Sequence, residues 1–224
     1  MARKRRYDDG CAASHALDLV GERWALLVVR ELLFGPKRFT DLRMGLPGAS
    51  PNVLAQRLRE MEEAGVTRRR KLPPPAATWV YELTTWGREL EPVITALGRW
   101  GVRSPSLRHD AALSSDSLML ALKTMFDPEL ADGLTIDLGL RMGEDTFRVQ
   151  LSAGVIQIRR GETDQPDAIV ETAPATLNAL LWEDRGLDDA IASGDVRLSG
   201  SHERVERFLR LFPSPEPAMQ RKRP

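Results

Sequence analysis

Apolar residues recur at helical spacing through the first part of the chain. Gly21 interrupts the series, whose members are Leu17, Val20, Trp24, Leu27, Val28 and Leu32. Because residues three and four apart share one face of a helix, this pattern predicts two helical segments bent at Gly21. Gly35-Pro36 is expected to end the second segment, and Thr40 to cap a short helix that carries Leu42.

Ser50-Pro51 predicts the start of another helix, since Ser is a favoured N-cap and Pro at the first helical position loses no hydrogen bond. We expect this helix to run to about Ala64 and Gly65 to cap it. Its apolar face consists of Leu54, Leu58 and Met61. Its opposite face should be exposed and consists of Asn52, Ala55, Gln56 and Arg59.

The segments Val66 to Lys71 and Thr78 to Thr84 flank a turn at Pro73-Pro74-Pro75 and predict a hairpin with a stiffened loop. The alternation places three side chains of the second strand on one face, namely Trp79, Tyr81 and Leu83. A helix from Thr85 to Gly101 should follow. It presents more apolar surface than a terminal helix needs unless it packs on a partner, through Leu90, Val93, Ile94, Leu97 and Trp100.

The second half predicts a different architecture. An amphipathic helix should end at Asp127-Pro128, and alternating segments from Ile136, Phe147 and Val155 predict an antiparallel meander. A strand, two helices, a strand and a closing helix should follow, at 168–172, 174–182, 187–193, 196–199 and 202–212. The fold class is therefore α+β, with an N-terminal winged helix-turn-helix and a C-terminal α/β domain whose five-stranded sheet is largely antiparallel. The expected divisions are a basic arm 1–9, a domain 10–103, a linker 104–112, a domain 113–212 and a disordered tail 213–224.

The formal net charge of zero conceals an asymmetry between the halves. Residues 1–104 hold 18 Lys and Arg against 12 Asp and Glu, whereas residues 105–224 hold 14 against 20. The arm contributes Arg3, Lys4, Arg5 and Arg6. Binding a polyanion requires locally clustered cations, so the front half is the expected DNA-binding half. The chain lacks a long apolar run and a signal-type segment, which favours a cytoplasmic protein with no membrane partner.

The chemistry-bearing residues favour binding over catalysis. No nucleophile-and-base motif, phosphate loop or metal-binding motif is present, and one cysteine with three histidines leaves little for a metal, so we expect no enzyme, no metal and no cofactor. An exposed Asn/Gln/Arg face beside a basic hairpin suits readout of DNA bases, since Asn or Gln can pair with adenine and Arg with guanine. The predicted DNA-binding residues are Arg38, Thr40, Ser50, Pro51, Asn52, Ala55, Gln56, Arg59, Arg69, Arg70 and Lys71.

Residues 9–103 also carry an ordered pattern. It comprises Cys11, Ala16-Leu17-Asp18, Val20-Gly21-Glu22-Arg23-Trp24, Leu27, Arg30-Glu31-Leu32, Arg38-Phe39-Thr40-Asp41-Leu42, Leu54, the run from Arg57 to Val66, and Tyr81-Glu82-Leu83-Thr84. This pattern resembles the HxlR-type winged-helix regulators. The resemblance implies a homodimer, held by the first and last helices of this half, on a palindromic operator. Two departures are Glu22-Arg23, where Gly-Lys is commoner, and the Pro-rich wing tip, which puts the wing's minor-groove contact in doubt.

In several members of that family, the cysteine that matches Cys11 senses oxidants through a disulfide between subunits. The resemblance therefore implies a redox role for Cys11, beside the alternative that a cysteine at a helix start is simply buried. A redox role requires a lowered thiol pKa.

The second half, over about 113–212, resembles the sterol-carrier-protein type of lipid-binding domain, chiefly in the order of its elements. That resemblance implies an apolar pocket for a small hydrophobic effector. Its expected lining is Met119, Leu122, Met125, Phe126, Phe147, Leu177, Leu180 and Trp182. A lipid or small-molecule carrier, in which the winged helix serves only for dimerisation, is the alternative function. A further alternative is that this domain only widens or shields the dimer.

Overall fold

The computed structural model describes residues 7–108, 111 and 113–218. The predicted basic-arm residues Arg3 to Arg6 lie outside this range, as does the end of the predicted tail after 218. The chain divides into two compact units, Met1–Ile94 and Thr95–Pro224. Among the described helices, none is both long enough and apolar enough to cross a membrane.

The first unit consists of helices and one hairpin. Its helices are α1 (Ala12–Val20), α2 (Ala25–Leu32), α3 (Phe39–Gly45), α4 (Pro51–Glu63), α5 (Thr85–Arg88) and α6 (Glu91–Val102), the last of which continues into the second unit. Its strands are β1 (Thr67–Lys71) and β2 (Trp79–Leu83), which pair antiparallel with Thr67 opposite Leu83. The bend predicted at Gly21 is present, since α1 ends there and Trp24 precedes α2 in a left-handed conformation, with φ 78°.

The core of the first unit lies where α2, α3 and α4 meet. Fully buried side chains come from all three helices and include Val28, Leu32, Leu42, Leu54 and Leu58. The amphipathic spacing seen in the sequence therefore corresponds to the packing. Burial of a leucine side chain contributes about 1.5–3 kcal/mol, so this cluster stabilises the packing of the three helices.

The structure corrects two expected boundaries in this unit. Thr40 does not cap α3, because Arg38 is the N-cap residue and its backbone N–H donates to the carboxylate of Asp41 at 2.9 Å. The helix expected from Thr85 to Gly101 is interrupted and forms α5 and α6. Pro92 explains the interruption, since it has no N–H to donate to the preceding turn.

The second unit is a sheet packed against helices. Its strands are β3 (Ile136–Met142), β4 (Asp145–Ser152), β5 (Val155–Arg160), β6 (Ala168–Thr172) and β7 (Val196–Gly200). Its further helices are α7 (Ser115–Met125), α8 (Pro174–Trp182), α9 (Leu187–Ala192) and α10 (His202–Leu209). The strand order is β5-β4-β3-β6-β7.

The sheet of the second unit is mixed, because β3 and β6 pair in parallel and the other neighbouring strands pair antiparallel. Strands β5 and β6 run in the same direction, so the segment 161–167 between them crosses back over the sheet to place β6 beside β3. Alternate residues such as Leu138, Leu140 and Val149 are buried on one face. That face forms the core with α7, α8 and α10.

Candidate nucleic-acid interface

Helix α4 is fixed from its start to its end by local signals. Ser50 is the N-cap, and its hydroxyl accepts a hydrogen bond from the Val53 backbone N–H at 3.4 Å. Pro51 occupies the first turn, and Gly65, with φ +74°, lies just past the C-cap Ala64. This cap arrangement, predicted from the sequence, places a rigid helix after the turn that follows α3.

The face of α4 opposite its core side chains is open to solvent. Asn52, Gln56 and Arg59 are exposed, and Ala55 is partly exposed. Since these side chains project from a helix packed through its other face, they have the arrangement that base readout in a major groove requires. Four predicted DNA-binding residues earlier in the chain are also exposed, namely Arg38, Thr40, Ser50 and Pro51.

An ionic network runs along one side of α4. The amide of Gln56 donates to the Glu60 carboxylate at 3.0 Å, and Arg57 pairs with the same carboxylate. The buried Arg57 also lies 3.5 Å from the carboxylate of Glu22, in the turn between α1 and α2. Glu22 is one of the sequence departures noted above, and its position gives it a structural partner on α4.

The hairpin carries cations on both of its faces. The guanidinium of Arg69 lies over the ring of Trp79 at 4.6 Å and 5.9 Å from that of Tyr81, which is cation–π geometry. Lys71 is exposed at the end of β1, and Trp79 opposite it is 49% exposed. Arg69 is thus held against aromatic rings, while Lys71 extends into solvent.

The other face of the hairpin contains an acid that sequence reasoning missed. Glu82 accepts hydrogen bonds from Arg68 Nε and from Arg70 Nε, each at 2.7 Å. Burial raises the pKa of Glu82, but the bonds and charges of Arg70 and Arg68 outweigh it and hold that pKa below its ordinary value. Arg68 was also missed, although alternation along β1 places it on the same face as Arg70.

A buried carboxylate on α2 links this helix to the residue that pairs with β2 of the hairpin. Glu31, on α2 and fully buried, accepts from Lys37 Nζ at 2.7 Å and from Arg30 Nη2 at 2.8 Å. The backbone of Lys37 exchanges two hydrogen bonds with Tyr81 of β2, at 3.0 and 2.8 Å. A Cβ at Gly45, at the end of α3, would lie 2.1 Å from Glu31 Oε2. Glu31 therefore lies against the end of α3 and bonds to Lys37, whose backbone pairs with the hairpin.

Apolar side chains remain exposed on the helices predicted to mediate dimerisation. On α6, Val93, Leu97 and Trp100 are 52%, 48% and 76% exposed at positions i, i+4 and i+7. On α1, only Val20 is buried, and Leu17 is 49% exposed. A continuous exposed apolar stripe of this kind is typical of an interaction surface.

Cys11 is exposed at the N-cap of α1. Hydrogen bonding with the backbone of Ser14 and Ala13, in the first turn, lowers the pKa of its thiol. The alternative of a simply buried cysteine is therefore wrong for this chain.

The predicted pocket residues of the second unit lie in different places. Met119, Leu122 and Phe147 are fully buried in the core. A groove of about 440 Å³ between α8 and α10 includes Leu180 in its lining. A small apolar cavity of about 10 Å³ beside it is lined by residues that include Leu177 and Leu180. Met125 and Trp182 are partly buried, and Phe126 is buried against Phe212.

A short helix and turn, a capped helix with a solvent-facing polar side, and a basic hairpin together define a winged helix-turn-helix, the fold of a DNA-binding protein. A model of the HxlR-like helix-turn-helix family matches residues 19–107. The HTH-type transcriptional regulator sll1512 of Synechocystis is 38% identical over 91 residues, which are 41% of this chain and 67% of that protein. The regulator YvaP of Bacillus subtilis is 36% identical over 85 residues, 38% of this chain and 79% of that one.

Among solved structures, the reduced form of the transcriptional regulator YodB from B. subtilis is similar at 31% identity, with a TM-score of 0.39, over 44% of this chain and 97% of that chain. A model of the alkyl sulfatase C-terminal family matches residues 106–220. The chain belongs to the HxlR-like helix-turn-helix family of transcriptional regulators in its first half and to the alkyl sulfatase C-terminal family in its second.

The matches settle two expectations of the sequence at a coarse level. The function of DNA-binding transcription regulation is confirmed, and the carrier alternative is not favoured, because the relatives of the first half are transcriptional regulators. The sterol-carrier resemblance is not confirmed, since the matching model of the second half is the alkyl sulfatase C-terminal family.

Proposed function

We propose that this regulator acts in the cytoplasm as a homodimer on a palindromic operator, with one α4 helix per half-site. The observation that carries the proposal is the solvent-facing position of Asn52, Gln56 and Arg59 on a helix packed through its opposite face. In this arrangement the three side chains contact base edges. Arg38, Thr40, Ser50 and Pro51 lie against the phosphate backbone at the start of α3 and of α4.

The dimer is formed through α1 and α6. The exposed stripe Val93, Leu97 and Trp100 supplies apolar area that a second copy would remove from water. Sedimentation of the full chain should give a dimer, and Trp100→Glu should shift it towards monomer because a buried unpaired charge is costly. A wild-type protein that remains monomeric at high concentration would contradict the dimer.

DNA binding is tested with the full chain on the duplex upstream of its own gene, beside a shuffled duplex of equal length. Gln56→Ala or Arg59→Ala should lower the preference for the upstream duplex, by about 1–3 kcal/mol for each lost bidentate contact. Lys71→Ala should weaken both duplexes alike, because a phosphate contact carries no sequence information. Arg159→Ala, which removes an exposed arginine of the second unit, is the charge-matched control.

The outcomes of that comparison are decisive for the assignment of α4. If Gln56→Ala, Arg59→Ala and Lys71→Ala all lower binding to both duplexes equally, α4 does not read bases. If the wild-type chain shows no salt-sensitive binding to either duplex, the proposed interface is wrong as a whole.

The second unit is proposed to take a small apolar or amphipathic effector through the groove between α8 and α10. Leu180, Leu187 and Leu209 line both this groove and the small apolar cavity beside it, so they form a continuous entry towards the sheet. The cavity of about 10 Å³ holds no more than a water, so an effector has to part these side chains. Coupling between the binding of an effector and the binding of DNA typically changes the free energy of operator binding by about 1–3 kcal/mol.

A medium-chain fatty acid and an aromatic carboxylate serve as probes of this groove. One of them should change the operator affinity of the wild-type chain, and Leu209→Gln should abolish the change. Leu130→Gln, at an exposed leucine away from the groove, is the control. An effector response that survives Leu209→Gln, or neither probe having any effect, would overturn the proposed site.

Cys11 is proposed as an oxidant-sensing residue, on the strength of its exposure and its lowered pKa. With hydrogen peroxide, two Cys11 thiols of a dimer would form one disulfide, and the peroxide would be reduced to two waters. Because the chain has a single cysteine, the product is a covalent dimer visible on a non-reducing gel. Peroxide that leaves the chain monomeric on that gel, as in Cys11→Ser, would refute the proposal.

A further inference from the structure

On the hairpin face that carries Glu82, two arginines bond to this single carboxylate. Arg68 is directly opposite Glu82 in the strand register, and Arg70 lies two residues further along β1. One carboxylate oxygen accepts from Arg68 Nε and the other from Arg70 Nε, each at 2.7 Å. The three side chains thus form one cluster, and each carboxylate oxygen of Glu82 accepts one hydrogen bond.

Solvent exposure differs sharply among these three side chains. The side chains of Arg68 and Arg70 are 66% and 42% exposed, whereas that of Glu82 is 7% exposed. A guanidinium has five N–H donors, and the bond to Glu82 uses the Nε–H of each arginine. Within the part of the chain that the structure describes, the terminal N–H groups of both arginines remain for another acceptor. An anion arriving from solvent meets them before it meets the sheltered carboxylate.

We propose that Glu82 is a positioning residue that holds Arg68 and Arg70 as a pair of clamps for backbone phosphates of DNA. The proposal rests on the proposed contact between the hairpin and DNA, and it adds Arg68 to the interface. The carboxylate fixes two long side chains whose rotamers would otherwise have to be ordered on binding. It leaves the three groups with a net charge of one positive unit.

A sharp test follows from the sign of the charge on Glu82. If only net charge mattered, Glu82→Gln would tighten binding to any duplex, because it removes a negative charge near the phosphates. As a positioning residue, Glu82 has the opposite effect, and Glu82→Gln should weaken binding by roughly threefold to tenfold. Glu63→Gln is the matched control, since Glu63 is an exposed acid at the end of α4 in the same unit.

The measurement is binding of the full chain to a duplex of random sequence over a series of salt concentrations. The slope of log affinity against log salt is negative. Arg68→Ala and Arg70→Ala should each reduce its magnitude by about 0.9. In the chain that carries both alanines, adding Glu82→Gln should cause no further loss. A melting curve for each variant verifies that it is folded.

A second variant keeps the test usable if Glu82→Gln does not fold. Lysines at both positions, Arg68→Lys with Arg70→Lys, keep the charge but lack the guanidinium that bonds through Nε, so they should also weaken binding. Tighter or unchanged binding by Glu82→Gln, or unchanged binding by the double lysine variant, would overturn the proposal. A wild-type chain that does not bind random DNA at all would instead refute the proposed DNA contact of the hairpin.

Discussion

Replacing Glu31 by alanine tests whether a buried acid holds the DNA-binding unit together. The Glu31 side chain is 0% exposed and accepts from Lys37 and Arg30, whose side chains are 9% and 17% exposed. Removing one partner of a buried ion pair costs about 3–5 kcal/mol, because the remaining charge stays away from water. Arg30 can turn partly into solvent, so we expect a loss near the lower end of this range.

The conservative variant separates charge from shape. Glu31→Gln keeps an oxygen that can accept one hydrogen bond but loses the negative charge, so it should be destabilised less, by about 1–3 kcal/mol. Glu63→Ala, at an exposed acid, should stay within about 0.5 kcal/mol of wild type. The expected order of stability is therefore Glu63→Ala, then Glu31→Gln, then Glu31→Ala.

The assay is urea unfolding of the full chain with hydrogen exchange followed by mass spectrometry, which assigns the loss of protection to α2. Because the backbone of Lys37 pairs with Tyr81, Glu31→Ala should also loosen the hairpin and weaken binding to DNA. If Glu31→Ala loses less than about 1 kcal/mol, the two cations must find solvent or other partners easily, and the role given to Glu31 is refuted.

Three further outcomes are expected. Gly45→Ala should lose about 1–3 kcal/mol in urea unfolding, because its Cβ would lie 2.1 Å from the Glu31 carboxylate, and no loss would mean that this carboxylate moves freely. Glu60→Ala should lower the preference for the operator over shuffled DNA, since Glu60 orients the Gln56 amide at 3.0 Å, and an unchanged preference would contradict this. The bond from Arg148 lowers the pKa of Asp137 below its ordinary 3.8, so the carboxylate stabilises the fold above about pH 4 and this contribution is lost as pH falls through the lowered pKa. Asp137→Asn should therefore flatten the acid side of the stability profile in thermal melts, and a profile identical to wild type would refute it.

Periodicity and caps predicted the framework of the DNA-binding unit because those signals are local. Ser50 and Gly65 mark α4 within two residues of its observed ends, and the spacing of Leu54, Leu58 and Met61 identified its packed face. The break between α5 and α6 was missed, although Pro92 carries a local signal for it. The parallel pairing of β3 with β6 was missed for another reason, since no alternation along a strand reports which neighbour it has.

The partners of the charged residues could not be predicted from composition. The first half has an excess of cations, and the position of Arg69, Arg70 and Lys71 in the hairpin predicted all three as DNA contacts. The strand register makes them different, because Arg70 shares Glu82 with Arg68 and Arg69 lies on aromatic rings. Register depends on where the turn closes, and three consecutive prolines gave no turn type from which to derive it.

The acids of the first unit explain how a modest excess of positive charge can serve a DNA-binding surface. Glu31, Glu60 and Glu82 each bond to two side chains of the scaffold or of the proposed interface, and each is partly or fully sheltered from solvent. A sheltered carboxylate repels an approaching phosphate less than the exposed guanidinium attracts it, and it lowers the rotamer freedom that binding would otherwise remove. In this unit the position of an acid therefore matters more than its contribution to net charge, and a surface with fewer acids would be more positive but less ordered.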